Sequence, residues 1–150
     1  MGKTRQSLYF LDKLLQLESN NPEYWKIYAD TNFKIRFYPE AIKGYNKYLS
    51  FNKQSLTIYL HLADSYLLTG QLYEALNILG KAEVYYHNRA EIYYRIAGIQ
   101  MLMGKKAYGL AYFNKALHIN FSMLNTFERM FPKLYKSKEI NRLINEYARL

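Results

Sequence analysis

The sequence predicts an all-α chain built as a solenoid of antiparallel helix pairs closed by a terminal capping pair, and three observations predict it. Apolar residues recur at spacings of three and four through most of the chain, as in helices with one buried face. A pattern of large and small residues repeats every 34 positions without a gap over three units. The breaks between periodic segments carry residues that end or start helices, at matching points of each unit.

The repeat is read in columns. Trp25, Tyr59, Tyr93 and Phe127 are aromatic; Tyr28, Leu62, Ile96 and Met130 are large and apolar; Ala29, Ala63 and Ala97 are small. Further along each unit, Ala41, Ala75 and Gly109 are small, Tyr45, Leu79 and Phe113 are large, and Ala82 and Ala116 are small again. Small residues belong where two helices cross closely, since a larger side chain would push the axes apart. One such pair cannot bury its own apolar face, so the units must stack.

Each element follows from this register. Residues 1–21 form the second helix of a partial repeat, because Ser7, Leu11 and Leu14 fall in the columns of Ala41, Tyr45 and Tyr48. The expectation is a fragment of a longer array. Full repeats follow at 22–55, 56–89 and 90–123, with helices near 23–35, 39–51, 57–69, 73–85, 91–103 and 107–119. Asn21-Pro22-Glu23 supplies a capping residue, a first-turn proline and a first-turn acid. Gly70 and Gly104 mark the same break between helices. Residues 124–150 read as an atypical capping helix pair: Phe131 and Leu143 replace small residues, and Pro132 should stop or kink its helix.

These columns resemble the tetratricopeptide repeat, with its Trp-x2-Leu-Gly-x2-Tyr, Ala-x3-Phe and terminal Pro. Trp25, Tyr28, Ala29, Ala41 and Tyr45 carry the likeness in the first full repeat, and Tyr59, Leu62, Ala63, Tyr66, Ala75 and Leu79 in the second. Tyr93, Ile96, Ala97, Gly109 and Phe113 carry it in the third, while Lys53, His87 and Phe121 replace the proline. The resemblance implies a right-handed superhelix whose first helices line a concave wall that binds protein segments. Some members of that family clamp a C-terminal carboxylate with Lys, Asn and Arg. Lys26 and Arg95 match that clamp, but Asp30, His61 and Glu91 replace its other donors, and acids there would repel the ligand.

Composition narrows function mainly by exclusion. Without cysteine there is no thiolate metal site or cysteine nucleophile. The three histidines have no ligand spacing, no glycine-rich phosphate loop is present, and no cofactor is expected. Asp30 and Asp64 share a column, but wall residues bonded to their neighbours explain them better than a catalytic pair. The chain is therefore read as no enzyme. No stretch is apolar enough to span a membrane, and the compartment expected by default is cytoplasmic.

The charge of +9 is uneven: residues 105–150 hold nine Lys and Arg against three acids. Such a balance attracts nucleic acid or an anionic surface, through Lys133, Lys136, Lys138, Arg142 and Arg149. Tyr28, Tyr45, Tyr48, Tyr59, Tyr66 and Tyr93 occupy core columns, however, and are not stacking platforms. The leading expectation is a scaffold binding a peptide or partner segment in its groove. The alternatives are a basic platform, and an architectural segment that self-associates through its N-terminal helix. The groove residues expected are Lys26, Asp30, Phe33, Leu60, His61, Asp64, Leu67, Tyr94, Arg95 and Met101, with Tyr94 as the leading exposed anchor.

Overall fold

The computed structural model describes residues 2–150. Its elements are α1 (Gly2–Leu17), α2 (Pro22–Lys34), α3 (Tyr38–Leu49), α4 (Leu56–Leu68), α5 (Leu72–Tyr85), α6 (Ala90–Leu102) and α7 (Lys106–Ile119). A 3-10 turn (Phe121–Met123), α8 (Leu124–Met130), α9 (Pro132–Tyr135) and α10 (Lys138–Ala148) complete the chain. Two compact units, Met1–Ala75 and Leu76–Leu150, are distinguished, with their boundary inside α5.

Helix ends follow local chemistry. Asn21 accepts a hydrogen bond from the Glu23 N–H at 3.1 Å, with Pro22 at the first helical position. Ser55 and Ser137 cap α4 and α10 by accepting from Ile58 N–H and Ile140 N–H. Arg36, Gly70 and Gly104, spaced one repeat apart, all adopt left-handed backbone with φ of 63°, 77° and 78°. Each lets the next N–H reach back to close the helix: Phe37 to Asn32 O, Gln71 to Tyr66 O and Lys105 to Gln100 O. Arg36 makes this turn with a side chain that glycine would spare.

In the first unit, α1 packs on α2, α2 on α3 and α3 on α4. The small columns close the helix crossing: a Cβ on Gly44 would lie 2.8 Å from the Ala29 Cβ. Tyr28, Ala29, Ala41 and Tyr45 are buried across this seam. Leu11 and Leu15 of α1 join Tyr28 in a cluster flanked by Leu8, Tyr24 and Trp25, and the Trp25 indole donates to Ser19 O at 2.8 Å.

In the second unit, α6 packs on α7 and α8, and α7 on α10. A Cβ on Gly109 would meet Ala97 O at 2.8 Å and the Met101 side chain, so this crossing is as tight as that of α2 and α3. Every residue from Ile92 to Ile99 is buried, and α6 has no open face there. Helix α7 and the capping segment both contribute. Phe131 stands one repeat beyond Ala97, in a column otherwise small, and its ring fills the space left by the missing side chain of Gly98. Pro132 forces Phe131 out of helical geometry (φ −131°, ψ 58°), so α8 ends at Met130 and α9 starts afresh.

Candidate functional site

A cleft of about 300 Å³ opens in the first unit between one face of α2 and the start of α4. Lys26, Asp30, Phe33 and Lys34 line it from α2, spaced by three and four along one face. Ser55, Thr57, Ile58 and His61 line it from the cap and first turns of α4.

Its floor is an ordered polar cluster. The buried Tyr45 of α3 donates its hydroxyl to Asp30 Oδ1 at 2.7 Å, while His61 Nδ1 lies 3.2 Å from the Tyr45 hydroxyl oxygen. A phenol has one proton, so if it goes to Asp30 the histidine must donate from Nδ1, leaving Nε2 as the acceptor of the neutral ring. His61 Nδ1 stands 3.9 Å from Asp30 Oδ1, an electrostatic approach rather than a hydrogen bond. Phe33 stacks on the imidazole with ring centroids 4.4 Å apart and planes 16° from parallel, which fixes the ring.

Burial alone would raise the Asp30 carboxyl. The His61 imidazole, the Tyr45 hydrogen bond and the Lys26 charge together outweigh it and hold Asp30 below the usual carboxylate range. Tyr45 moves the other way, pushed up by burial, by its bond to Asp30 and by the charges of Asp30 and Asp64. The cleft therefore carries a fixed carboxylate, an oriented imidazole, two lysines and an aromatic wall. These groups can accept from backbone amides, pair with an acid and cover an apolar side chain. No nucleophile is set against a base in it, and among the described residues no three His, Cys, Asp or Glu gather as metal ligands.

Of the residues expected in a groove, Lys26, Asp30, Phe33 and His61 meet in this cleft. Leu60, Asp64 and Leu67 are half-buried on α4 outside its lining. Two residues of α6 need correction. Tyr94, expected as an exposed anchor, is 0% exposed; its ring packs against Phe113 and Phe127, and its hydroxyl donates to Asn120 O at 3.2 Å. Arg95 is 6% exposed and donates to Glu91 O, while the Glu91 carboxylate pairs with Arg89 at 3.0 Å. Met101 is half-buried, with its side chain against Gly109. The physical reason is the same for Tyr94 and its neighbours: α7 and α8 cover the face that would have been wall.

Ser55 and Ile58 line the cleft without having been read as site residues. The signal for Ser55 was available, since a serine before an apolar helical run is a cap beside which an open first turn begins. Of the C-terminal cations, Arg142 pairs with Glu146 at 3.3 Å, and Lys106 of α7 pairs with Glu139.

A protein of stacked antiparallel helix pairs with small residues at each crossing is a tetratricopeptide-type fold, and solved structures agree. The chain is similar to the crystal structure of MamA at 18% identity, covering 97% of this chain and 85% of that one with a TM-score of 0.79. It is also similar to YrrB, described as a TPR protein with an unusual peptide-binding site, at 15% identity, 97% and 77% coverage and a TM-score of 0.74. No protein-family model matches the sequence and no curated protein matches it significantly. At these identities the likeness speaks for the fold.

Proposed function

We propose that this chain is a non-catalytic protein-interaction scaffold whose first unit takes a peptide segment in the cleft between α2 and α4. The observation that carries this reading is the Asp30–Tyr45–His61 cluster. It places an anionic acceptor and an oriented imidazole at the floor of an open cleft beside the Phe33 ring. Such a site suits an extended segment that donates backbone N–H groups to Asp30 and His61 and turns an acidic side chain toward Lys26 or Lys34. The fold it shares with YrrB, itself described as having a peptide-binding site, supports the reading.

The test is selection from a random-peptide display library on the immobilised full chain, followed by titration of the enriched peptides. Thr57→Trp, at an exposed position, should fill the cleft and weaken binding by about tenfold or more with helicity unchanged. Phe33→Ala should weaken it too. Enriched peptides that bind Thr57→Trp and Phe33→Ala as tightly as the parent would place the site elsewhere.

A further inference from the structure

Helix α1 carries two apolar stripes, and only one is covered. Leu8, Leu11 and Leu15 face α2. The other stripe runs Ser7, Phe10, Leu14 and Leu17, with spacings of three and four, and its three large residues are 63%, 38% and 82% exposed. Elsewhere in the chain the columns of Ser7 and Leu14 are closed, while that of Leu17 stays partly open, as at the exposed Tyr85. Stepping from Ser7 by one repeat reaches Ala41 and Ala75, both fully buried, and then Gly109, which lies against α6. Stepping from Leu14 reaches Tyr48, Ala82 and Ala116, all buried.

What covers those columns is a neighbouring helix. At α2/α3 and at α6/α7 it is the preceding helix, running antiparallel, with a small residue at the crossing: Ala29 against Gly44, Ala97 against Gly109. Four residues before Ala97, Tyr93 stacks on Tyr112 and lies under Lys115, whose Nζ is 3.9 Å from the ring centroid. Four residues after it, Met101 lies on Gly109. Helix α1 retains the matching features. Ser7 is small where the crossing falls, and its hydroxyl already donates to Lys3 O at 2.9 Å, so burying it would strand no donor. Lys13 stands in the column of Lys115 and lies over the exposed ring of Tyr9.

We propose that the Ser7–Phe10–Leu14–Leu17 stripe is a docking face for an amphipathic helix that runs antiparallel to α1 and carries aromatic-x3-small-x3-large spacing. The small residue seats between Ser7 and Phe10, and the aromatic reaches Lys13. This surface is separate from the cleft between α2 and α4 and does not depend on what that cleft binds.

The probe is a fluorescein-labelled peptide of residues 21–35, which holds the spacing as Trp25, Ala29 and Phe33, titrated into the full chain and followed by anisotropy. Saturable binding is expected, weakened at least about tenfold by Phe10→Asp and by Leu14→Asp, with circular dichroism unchanged. Tyr73→Asp, at an exposed aromatic on α5, should leave binding unaltered. Ser7→Leu discriminates further: general stickiness would rise with the added apolar surface, whereas a close crossing predicts weaker binding. Three results would each overturn the proposal: no saturable binding, binding indifferent to Phe10→Asp, or tighter binding by Ser7→Leu. Sedimentation velocity closes the remaining case. A dimer of the chain alone that Phe10→Asp converts to monomer would assign the stripe to a second copy and refute the helix partner.

Discussion

Gly98→Ala and Gly80→Ala make the same chemical change in two helices of the second unit, and the structure gives them opposite signs. Either substitution should gain about 1 kcal/mol of helix propensity. At Gly80 an added Cβ meets nothing within 4 Å, so the gain stands. At Gly98 the Cβ would fall under 3.0 Å from three ring atoms of Phe131. That ring cannot swing aside cheaply, because it is buried, packs against Phe127 at 5.2 Å between centroids, and its backbone is restricted by Pro132. Overpacking of this kind costs about 1–3 kcal/mol, which outweighs the propensity gain. Gly98→Ala should lose about 1–2 kcal/mol net, and Gly80→Ala should gain up to about 1 kcal/mol. Urea unfolding followed by circular dichroism measures both, and melts should move by about 2–4 °C per kcal/mol for a chain of this size. Phe131→Leu in the Gly98→Ala background should recover part of the loss, a coupling that isolates the contact. Equal stabilisation by the two alanines would refute the packing of Phe131 on α6.

Tyr94→Ala should destabilise by about 3–5 kcal/mol, because it empties a fully buried site, whereas Tyr94→Phe should cost about 0.5–1.5 kcal/mol for one hydrogen bond. Thermal melts that leave Tyr94→Ala unchanged would return the residue to the surface. Arg36→Gly should stabilise by up to about 1 kcal/mol, relieving left-handed backbone at the point where Gly70 and Gly104 stand, less the entropy glycine adds to the unfolded chain. A loss of stability in urea would contradict that turn geometry. Asp30 is depressed in the folded chain, so its contribution is complete above the unfolded value near 3.8 and is lost as pH falls through the lower folded value. Comparing acid unfolding of Asp30→Asn with the parent should show a shallower fall below about pH 4 in the variant; identical acid limbs would show that the carboxylate is not held as described.

The helix pairs were legible because their causes are local or periodic. A small residue at a crossing, an asparagine before a proline and a left-handed turn each leave a mark in the linear sequence, and the 34-residue step multiplies it. Ala29, Ala63, Ala97, Tyr45 and Phe113 are buried as their columns predict. The same spacing put Lys26, Asp30 and Phe33 on one helix face and His61 at the matching position of α4, and the four line one cleft. Their chemistry was not legible, because it needs Tyr45, fifteen residues beyond Asp30 and sixteen before His61, to send its hydroxyl out of a core column.

Periodicity by itself determined that this protein stacks helix pairs and which residues lie at the crossings. Only the tertiary structure decided which first-helix faces stay open. The columns treat α2 and α6 as equivalents, yet α6 is closed where α2 leaves a cleft. Phe113 and Phe127, both within the register, enclose Tyr94, and Phe131, large in a column otherwise small, occupies the place of a Gly98 side chain. A repeat pattern encodes contacts between neighbours of the same kind. A capping segment that abandons the pattern buries whatever its aromatic side chains can reach, and that follows from its three-dimensional path.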